Sequence, residues 1–374
     1  MRLAGRVCVI LLAVAVATAW FLPARTPPPK PSRPGGLAAG VEFLKSVQSP
    51  DGAWRSDTYG TFKDGTALTP LAVMALTEAG AAADTTAARK AGSRFLAGFI
   101  KPDGTVDEGP FGLDYPVYTA ALSVVALSHP DSTDFTPDRD AWLKYLLTRQ
   151  LTESLGWVST DKEYGGWGYC RTVPRKLDPG QLSAPLIESN LSATVFALDA
   201  LAAAGNPDPA SVVRGRAFVA RCQNPDGGYH FIYDDPVRNK AGSTGAGFPS
   251  YGSATADGYR AIATGTPAAL AAHRWITDRF DPDRHPGDYI PTHERNRDAV
   301  YFYYAAATAR VFQLTADRPA ADRLAAAVRA RQQSDGSWLN PVELVREIDP
   351  VLATCWAVLA LARCESIPSA RTGK

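Results

Sequence analysis

The chain has 374 residues, of which 45% are hydrophobic and 21% are charged, which is the balance of a globular protein with a large apolar core. A formal net charge of +1 argues against a nucleic-acid partner, and five histidines leave little material for a histidine-rich metal site. We therefore expect a nearly neutral globular protein that binds no nucleic acid.

The first 22 residues have the pattern of a targeting segment. Arg2 and Arg6 precede an uncharged apolar run from Val7 to Leu22, within which Ala17-Thr18-Ala19 fits a cleavage site. The run is about the shortest that can span a bilayer, so a cleaved signal peptide and a membrane anchor both stay open. Pro23 to Gly36 carries six prolines and is predicted to be an extended linker. We expect an exported bacterial protein, either secreted or anchored in the cell membrane facing the periplasm.

The folded domain is predicted to run from Leu37 to Ser366, followed by a flexible tail from Ile367 to Lys374. Along this domain, six helix pairs follow one another as repeats. The first helix of each pair is amphipathic, and the second is apolar on nearly every side. The second helices are predicted at residues 66–76, 118–127, 191–201, 251–263, 298–312 and 349–361.

The apolar second helices decide the predicted architecture. A helix that is apolar all round is a buried helix, so the second helices form the inside of the array. Six pairs suffice to close a ring, and a closed ring needs no capping repeats. We predict an all-α fold, an (α/α)6 toroid of inner and outer helices, with an open solenoid as the alternative.

Three turns between helices share the pattern Gln-x-x-Asp-Gly-x-Trp/Tyr, at residues 48–54, 223–229 and 332–338. Their rings are expected to cover the adjoining helix end. The pattern resembles the repeat of the prenyltransferase and squalene oxidase family, and the resemblance covers roughly Leu37 to Cys364. Segments at 165–169, 190–198, 251–255 and 349–352 look like an exported bacterial branch of that family. The resemblance implies a terpenoid cyclase-like toroid, whose central cavity holds isoprenoids in other members.

The family's zinc site is tested against this sequence residue by residue. Protein prenyltransferases have an Asp and, two residues on, a Cys on one inner helix, and a His before a Thr-Cys-aromatic run on another. Here Asp257 is kept, but Tyr259 stands at the Cys position and Ala353 at the His position. The Asp-x-Asp-Asp-Thr run of triterpene cyclases is absent as well, so the resemblance leaves catalysis open.

We therefore expect no metal and no cofactor, because two of the three zinc ligands are replaced by side chains that do not bind zinc. Elemental analysis of the purified protein is expected to find no stoichiometric zinc. One zinc ion per chain would contradict this prediction.

Polar residues near the starts of the inner helices form the candidate site, since these N-termini gather on one face of a toroid. Such residues cap helices, and several carboxylates around one cavity also shift each other's pKa and act as acids or bind a cation. The candidate catalytic residues are Asp114, Glu188, Asp257, Asp298 and Asp349, and Asp64 is a further acid of this kind. The candidate cavity residues are Tyr164, Trp167, Tyr169, Asn190, His293, Arg297, Tyr301 and Tyr304.

Three functions stay open. The leading hypothesis is an exported or membrane-anchored toroid that binds a small apolar, isoprenoid-like ligand in its central cavity. A non-catalytic scaffold that kept the fold is the alternative, and a carbohydrate-processing (α/α)6 enzyme with two carboxylates across a cleft is the third. An open apolar pocket with converging polar groups would support the ligand-binding hypothesis. A centre filled by side chains would support the scaffold hypothesis.

Overall fold

The computed structural model describes residues 35–80, 84–178, 180–232, 238–245 and 247–368. The predicted targeting segment, nearly all of the Pro-rich linker and most of the C-terminal tail lie outside these residues. Within the described ranges there are twelve α-helices, none of them long and apolar enough to cross a membrane. The outer helices are α1 (Leu37–Ser46), α3 (Thr86–Ala97), α5 (Thr136–Leu147), α7 (Pro209–Arg221), α9 (Pro267–Arg279) and α11 (Arg318–Ala330). The inner helices are α2 (Leu68–Glu78), α4 (Pro116–Leu127), α6 (Leu191–Ala203), α8 (Gly252–Ala261), α10 (Tyr301–Thr315) and α12 (Pro350–Glu365).

The inner helices form a closed ring. Each packs on the next, from α2 through α4, α6, α8 and α10 to α12, and α12 packs back on α2. The inner and outer helices differ in burial. Ten of the twelve residues of inner helix α4 are buried, against three of the twelve residues of outer helix α3. Burial of apolar surface therefore draws the second helix of each pair to the centre. The predicted (α/α)6 toroid is confirmed.

The repeat turn ties three helices together. In the first turn, Gln48 Nε2 donates a hydrogen bond to Ala88 O at the start of the next outer helix, at 2.9 Å. The indole N–H of Trp54 donates to Leu44 O near the end of α1, and the backbone N–H of Trp54 donates to Thr69 Oγ1 on inner helix α2. The Trp54 ring is fully buried, so the aromatic residue of the pattern belongs to the framework.

A fourth turn of the same kind carries an insertion between its Gln and its Trp. Gln150 Nε2 donates to Ser211 O at the start of α7, and Trp167 Nε1 donates to Leu146 O at the end of α5. The backbone N–H of Trp167 donates to Thr194 Oγ1 on α6. These bonds match those of the first turn, so the long third unit is an expanded copy of the ordinary repeat.

The last turn closes the ring onto the first helix. Gln332 Nε2 donates to Gly36 O at 3.0 Å, and Gly36 N–H donates to Gln332 Oε1 at 2.6 Å. Between the inner helices, Arg363 of α12 makes a bidentate ion pair with Glu78 of α2, with both N···O distances at 2.7 Å. The outer and the inner helix layers are therefore both closed by hydrogen bonds or ion pairs where the first and last described repeats meet.

Candidate ligand cavity

A cavity of about 280 Å³ lies among the N-terminal halves of the inner helices, all six of which contribute to its wall. The wall is mainly apolar and rich in aromatic rings. The aromatic members are Phe62, Tyr115, Tyr118, Tyr169, Phe196, Phe231, Tyr251, Tyr303 and Trp356. The volume is just below the usual range of ligand pockets, about 300–1,000 Å³, so the cavity suits a small ligand with a large apolar part.

Arg346 brings a positive charge to this cavity from the loop before α12. Its guanidinium lies over the rings of Tyr59, Phe62 and Tyr115, at 5.1–5.7 Å from their centroids, and donates to Thr61 Oγ1. No carboxylate in the described part of the chain forms an ion pair with it. The three rings hold the guanidinium by cation–π contacts, and none of the carboxylates that the structure describes neutralises it by an ion pair.

Asp257 is the predicted acid that lines the cavity. It lies on α8 and is 2% exposed. Its Oδ2 accepts a hydrogen bond from the Tyr303 hydroxyl at 2.6 Å, and its Oδ1 accepts one from Arg260 Nε at 3.1 Å. Burial raises the pKa of Asp257, while Arg260 and the Tyr303 hydroxyl limit the rise. A carboxyl group of this kind in a cavity wall can exchange a proton with a ligand.

Three more hydroxyl groups extend the hydrogen bonding from Tyr303 along the wall. Successive O···O distances are 2.8 Å from Tyr303 to Ser192, 2.9 Å from Ser192 to Tyr118 and 3.0 Å from Tyr118 to Tyr169. With Asp257, the chain joins four inner helices, α4, α6, α8 and α10, and the loop before α6. Burial raises the pKa of Tyr118, Tyr169 and Tyr303, so all three phenols are neutral.

Glu347 lines the same cavity, but its oxygens face the backbone of α10. Oε1 accepts from the N–H of Tyr303 at 2.8 Å, and Oε2 accepts from the N–H of Phe302 at 3.0 Å. Asn340 Nδ2 also donates to Oε2, at 2.9 Å. Burial raises the pKa of Glu347 to about 7, against the effect of these donors. Glu347 is thus the cap of α10, whose own N-cap residue has no capping side chain.

His285 caps α8 in a similar way. Its Nε2 accepts from the N–H of Ser253 at 2.8 Å, and its Nδ1 lies 3.1 Å from Arg297 O. This arrangement requires a neutral ring with its proton on Nδ1. Burial lowers the pKa of His285 to about 3, which keeps the ring neutral. His285 and Glu347 could not be recognised from the sequence, because each caps a helix from a distant loop.

The other polar residues predicted near the inner-helix starts have local partners. Asp349 caps α12 by accepting from Leu352 N–H, and Asn190 caps α6 by accepting from Ala193 N–H. The remaining acids pair as follows: Asp114 with Arg171, Glu188 with Arg238, Asp298 with the N–H of His285, and Asp64 with Thr66. The structure therefore brings Asp257 to the cavity without the crowd of carboxylates that the sequence suggested.

Of the eight candidate cavity residues, Tyr169 is in the wall. The others have these places: Tyr164 bonds to Glu153, Trp167 fills its repeat turn, Asn190 caps α6, His293 bonds to Thr292, Arg297 pairs with Glu294, and Tyr301 and Tyr304 donate to Pro282 O and Asp281 O. Successive residues of a helix point about 100° apart, so Tyr303 faces the cavity while Tyr301 and Tyr304 face other neighbours.

Metal binding has no support in the described part of the chain, where no three His, Cys, Asp or Glu side chains are grouped to hold an ion. The cysteines there, Cys170, Cys222, Cys355 and Cys364, are buried free thiols, and Cys8 lies outside it. Tyr259 packs against His273, with ring centroids 5.8 Å apart. The polar groups in the cavity wall include hydroxyls, carboxyls and the basic side chains of Arg238, Lys240 and Arg346.

No protein-family model and no curated protein matches the sequence, but solved structures match the fold. A variant of the type II terpene cyclase MstE from Scytonema, in complex with its substrate geranylgeranyl dihydroxybenzoate, has a TM-score of 0.59 at 14% identity, over 89% of this chain and 97% of that chain. The chain has the terpenoid cyclase-like α/α toroid fold.

Two further toroids superpose on this one. A protein from Actinoplanes has a TM-score of 0.57 at 16% identity, over 88% of this chain and 98% of that chain. The unsaturated glucuronyl hydrolase from Bacillus sp. GL1 has a TM-score of 0.52 at 14% identity, over 88% of this chain and 95% of that chain. At such low identity the likeness establishes the fold, and the function has to be argued from the cavity of this toroid.

Replacing three acids of the toroid by Asn, one at a time, is expected to change thermal stability in different directions. Asp349→Asn and Asp298→Asn keep an acceptor at the same place, and each should lose at most about 1 kcal/mol. The loss comes from charge–dipole energy at the α12 cap for Asp349 and from the exposed ion pair with Arg284 for Asp298. Asp257→Asn should melt at or above wild type, because the raised pKa means that folding disfavours the ionised carboxyl. Thermal melts at pH 7.5 test this, and an Asp257→Asn variant that melts well below the other two would contradict it.

Proposed function

We propose that this protein binds a small, mainly apolar and isoprenoid-like molecule with an acidic head group in its central cavity. The observation that carries the proposal is the aromatic cavity wall together with Arg346, a guanidinium with no carboxylate partner among the described residues. Aromatic and aliphatic walls stabilise an apolar chain, and a guanidinium binds a carboxylate or phosphate strongly. Two more basic residues, Arg238 and Lys240, also line the cavity.

The ligand of MstE is a chemical parallel. That cyclase binds geranylgeranyl dihydroxybenzoate, as its structure describes, and this molecule joins an isoprenoid chain to an acidic head. The cavity of about 280 Å³ argues for a shorter chain here. We therefore place the ligand in the same chemical class and at a smaller size.

The two other candidate functions have less support. A glycosidase of this fold needs two carboxyl groups free to act on a sugar. In this cavity the second carboxyl, Glu347, has both oxygens bound by the backbone of α10 and by Asn340. A scaffold does not explain why the wall of an open apolar cavity also carries the cationic side chains of Arg346, Arg238 and Lys240.

Native mass spectrometry of protein purified from a membrane fraction tests the proposal. We expect the wild type to retain a small molecule and the variant Ala67→Trp, whose ring fills the cavity from the start of α2, to lose it. Circular dichroism and a thermal melt serve to confirm that the variant is folded. Equal retention by both proteins, or none by the wild type, would favour the scaffold.

We also propose that the chain works outside the cytoplasm, secreted or attached to the cell membrane through Met1 to Leu22. The basic residues and apolar run of this segment support the proposal. Fractionation of cells that express the full chain tests it. Recovery of the uncleaved chain in the cytoplasmic fraction would contradict it.

A further inference from the structure

Four hydroxyl groups form a row along the cavity wall, which we call the hydroxyl row. It runs from Tyr169 through Tyr118 and Ser192 to Tyr303 and ends at the carboxyl of Asp257, and all five residues line the cavity. The hydrogen bonds that join them have O···O distances of 2.6–3.0 Å. The row therefore offers polar atoms to a ligand within a mainly apolar wall.

The carboxylate at the end of the row fixes the direction of its hydrogen bonds, because a carboxylate only accepts. Arg260 Nε donates to Oδ1 of Asp257 at 3.1 Å, and this permanently charged partner favours the ionised carboxylate. Oδ2 accepts the proton of the Tyr303 hydroxyl at 2.6 Å. Ser192 must then donate to Tyr303, because the only hydroxyl proton of Tyr303 is already used.

The hydrogen bonds at the other end of the row run in the same direction. Tyr118 donates to Ser192, which is the direction that the geometry of this pair allows. Tyr118 has then used its own proton and accepts from Tyr169. The four hydroxyl protons are thus all used in the four hydrogen bonds, and none is left for a ligand. The Tyr169 oxygen accepts no hydrogen bond from the described part of the chain, so it is the free acceptor of the row.

We propose that the ligand carries a hydroxyl group on its apolar part and donates the hydroxyl proton to Tyr169. The inference rests on the ligand binding proposed above and narrows the ligand to an apolar hydroxy acid. A ketone or ether oxygen of a ligand would face a Tyr169 oxygen whose proton is already used, whereas a hydroxyl completes the row. Tyr169 is thus a specificity-determining residue of the cavity.

The acidic head and the hydroxyl of such a ligand bind to different parts of the wall. Tyr169 lies in the loop before α6, and Arg346 lies in the loop before α12. Helices α6 and α12 are opposite each other in the ring, because two inner helices separate them in either direction. The apolar part of the ligand therefore lies between its two polar groups.

Asp257→Asn reverses the hydrogen bond at the end of the row. The side-chain oxygen of the asparagine keeps the bond from Arg260 Nε, so its NH₂ group faces Tyr303 and donates to it. The four hydroxyl protons then have three bonds left among themselves, and one proton becomes free for a ligand. Arg260 keeps its ion pair with Asp199, so the substitution leaves no unpaired charge.

Calorimetry with a matched pair of twelve-carbon acids tests the proposal. One acid carries a hydroxyl on its penultimate carbon, and the other carries a ketone there, which accepts a hydrogen bond but cannot donate one. We expect the wild type to bind the hydroxy acid about tenfold or more tightly, because the ketone leaves buried polar groups unpaired. In Asp257→Asn the free proton should tighten the binding of the keto acid by about tenfold and remove the preference.

Other groups of the wall that can donate, such as Ser253 and Trp356, are the same in both proteins, so their effect cancels. Asp349→Asn is the matched control, because it makes the same change in a buried acid that caps α12 outside the cavity wall. It should keep the wild-type preference. Equal binding of the two acids by the wild type, or a preference that survives in Asp257→Asn, would overturn the inference and leave the proposed function standing.

A neutral pair of probes tests the row without an acidic head. If neither acid binds, the proposed function is contradicted, and methyl heptyl ketone and the secondary alcohol formed by its reduction then decide the inference. The wild type should prefer the alcohol, and Asp257→Asn should not. No preference in the wild type, or no binding of either probe, would refute a hydroxyl row that accepts a proton donor from its ligand.

Discussion

Gly52→Ala is expected to destabilise the toroid by about 2–5 kcal/mol. Gly52 has a φ of +94°, a region that L-residues avoid. An added Cβ would also lie only 2.3 Å from Ala91 O of the next outer helix. The turn and α3 would have to separate, which would strain the bond from Gln48 to Ala88.

The second turn of the chain offers a matched control. Gly104 follows Asp103 as Gly52 follows Asp51, has a φ of +77°, and makes the same type of backbone bond, but nothing lies within 4 Å of its added Cβ. Gly104→Ala should therefore cost only about 1–2 kcal/mol for the left-handed conformation. Urea unfolding of both variants measures the difference. Equal losses would show that the turns do not depend on contact with the next helix.

Acid is expected to destabilise the protein through His285. The ring is neutral in the folded state, where its pKa is about 3 against an ordinary value of 6.5. As pH falls below 6.5 the unfolded chain binds the proton first, so the contribution of the neutral ring is complete above pH 6.5 and declines towards pH 3. The loss is at most about 1.4 kcal/mol per pH unit, or about 2–3 kcal/mol between pH 6.5 and 4.5.

His285→Gln isolates this contribution, because glutamine keeps an acceptor for the N–H of Ser253 and a donor for Arg297 O but does not titrate. The comparison is needed because Glu347 acts in the opposite direction. With a pKa of about 7, it favours the folded state as pH falls from 7 to 4.5. Urea unfolding at pH 7, 6, 5 and 4.5 should show the wild type losing stability relative to the variant. Parallel curves would contradict a neutral His285 cap.

The framework of the toroid was predictable because its signals are local. Inner helices such as α4 are apolar on every side, and the Gln48–Trp54 turn recurs with fixed spacing, so each repeat can be recognised from a short stretch. Gln150 and Trp167 form the same turn, but the insertion between them hides the spacing. A search that allowed a gap after the glutamine would have found this fourth turn.

The cavity was harder to predict because its residues meet only when the ring closes. Asp257 was a candidate through its place on an inner helix, and Tyr169 through its aromatic neighbours in sequence. Arg346 and Tyr118 have no motif of their own, and Ser192 lies in the 190–198 segment without any sign there of a cavity role. Their roles depend on rings and hydroxyls from other helices, such as the stack of Arg346 on Tyr59 or the bond from Ser192 to Tyr303.

The head-group preference tests the proposed ligand most directly, by calorimetry with farnesoic acid and farnesol. These probes share an apolar chain and differ in the charge of the head, so Arg346 should make the acid bind about tenfold or more tightly than the alcohol. Arg346→Gln should remove this preference and leave farnesol binding unchanged. Arg331→Gln is the control, since Arg331 also lies over a tyrosine ring but pairs with Asp283 outside the cavity wall.

We expect the wild type and Arg331→Gln to prefer farnesoic acid, and Arg346→Gln to bind both probes equally. Equal binding of the acid and the alcohol by the wild type, or no binding of either, would contradict an amphiphilic ligand with its acidic head on Arg346.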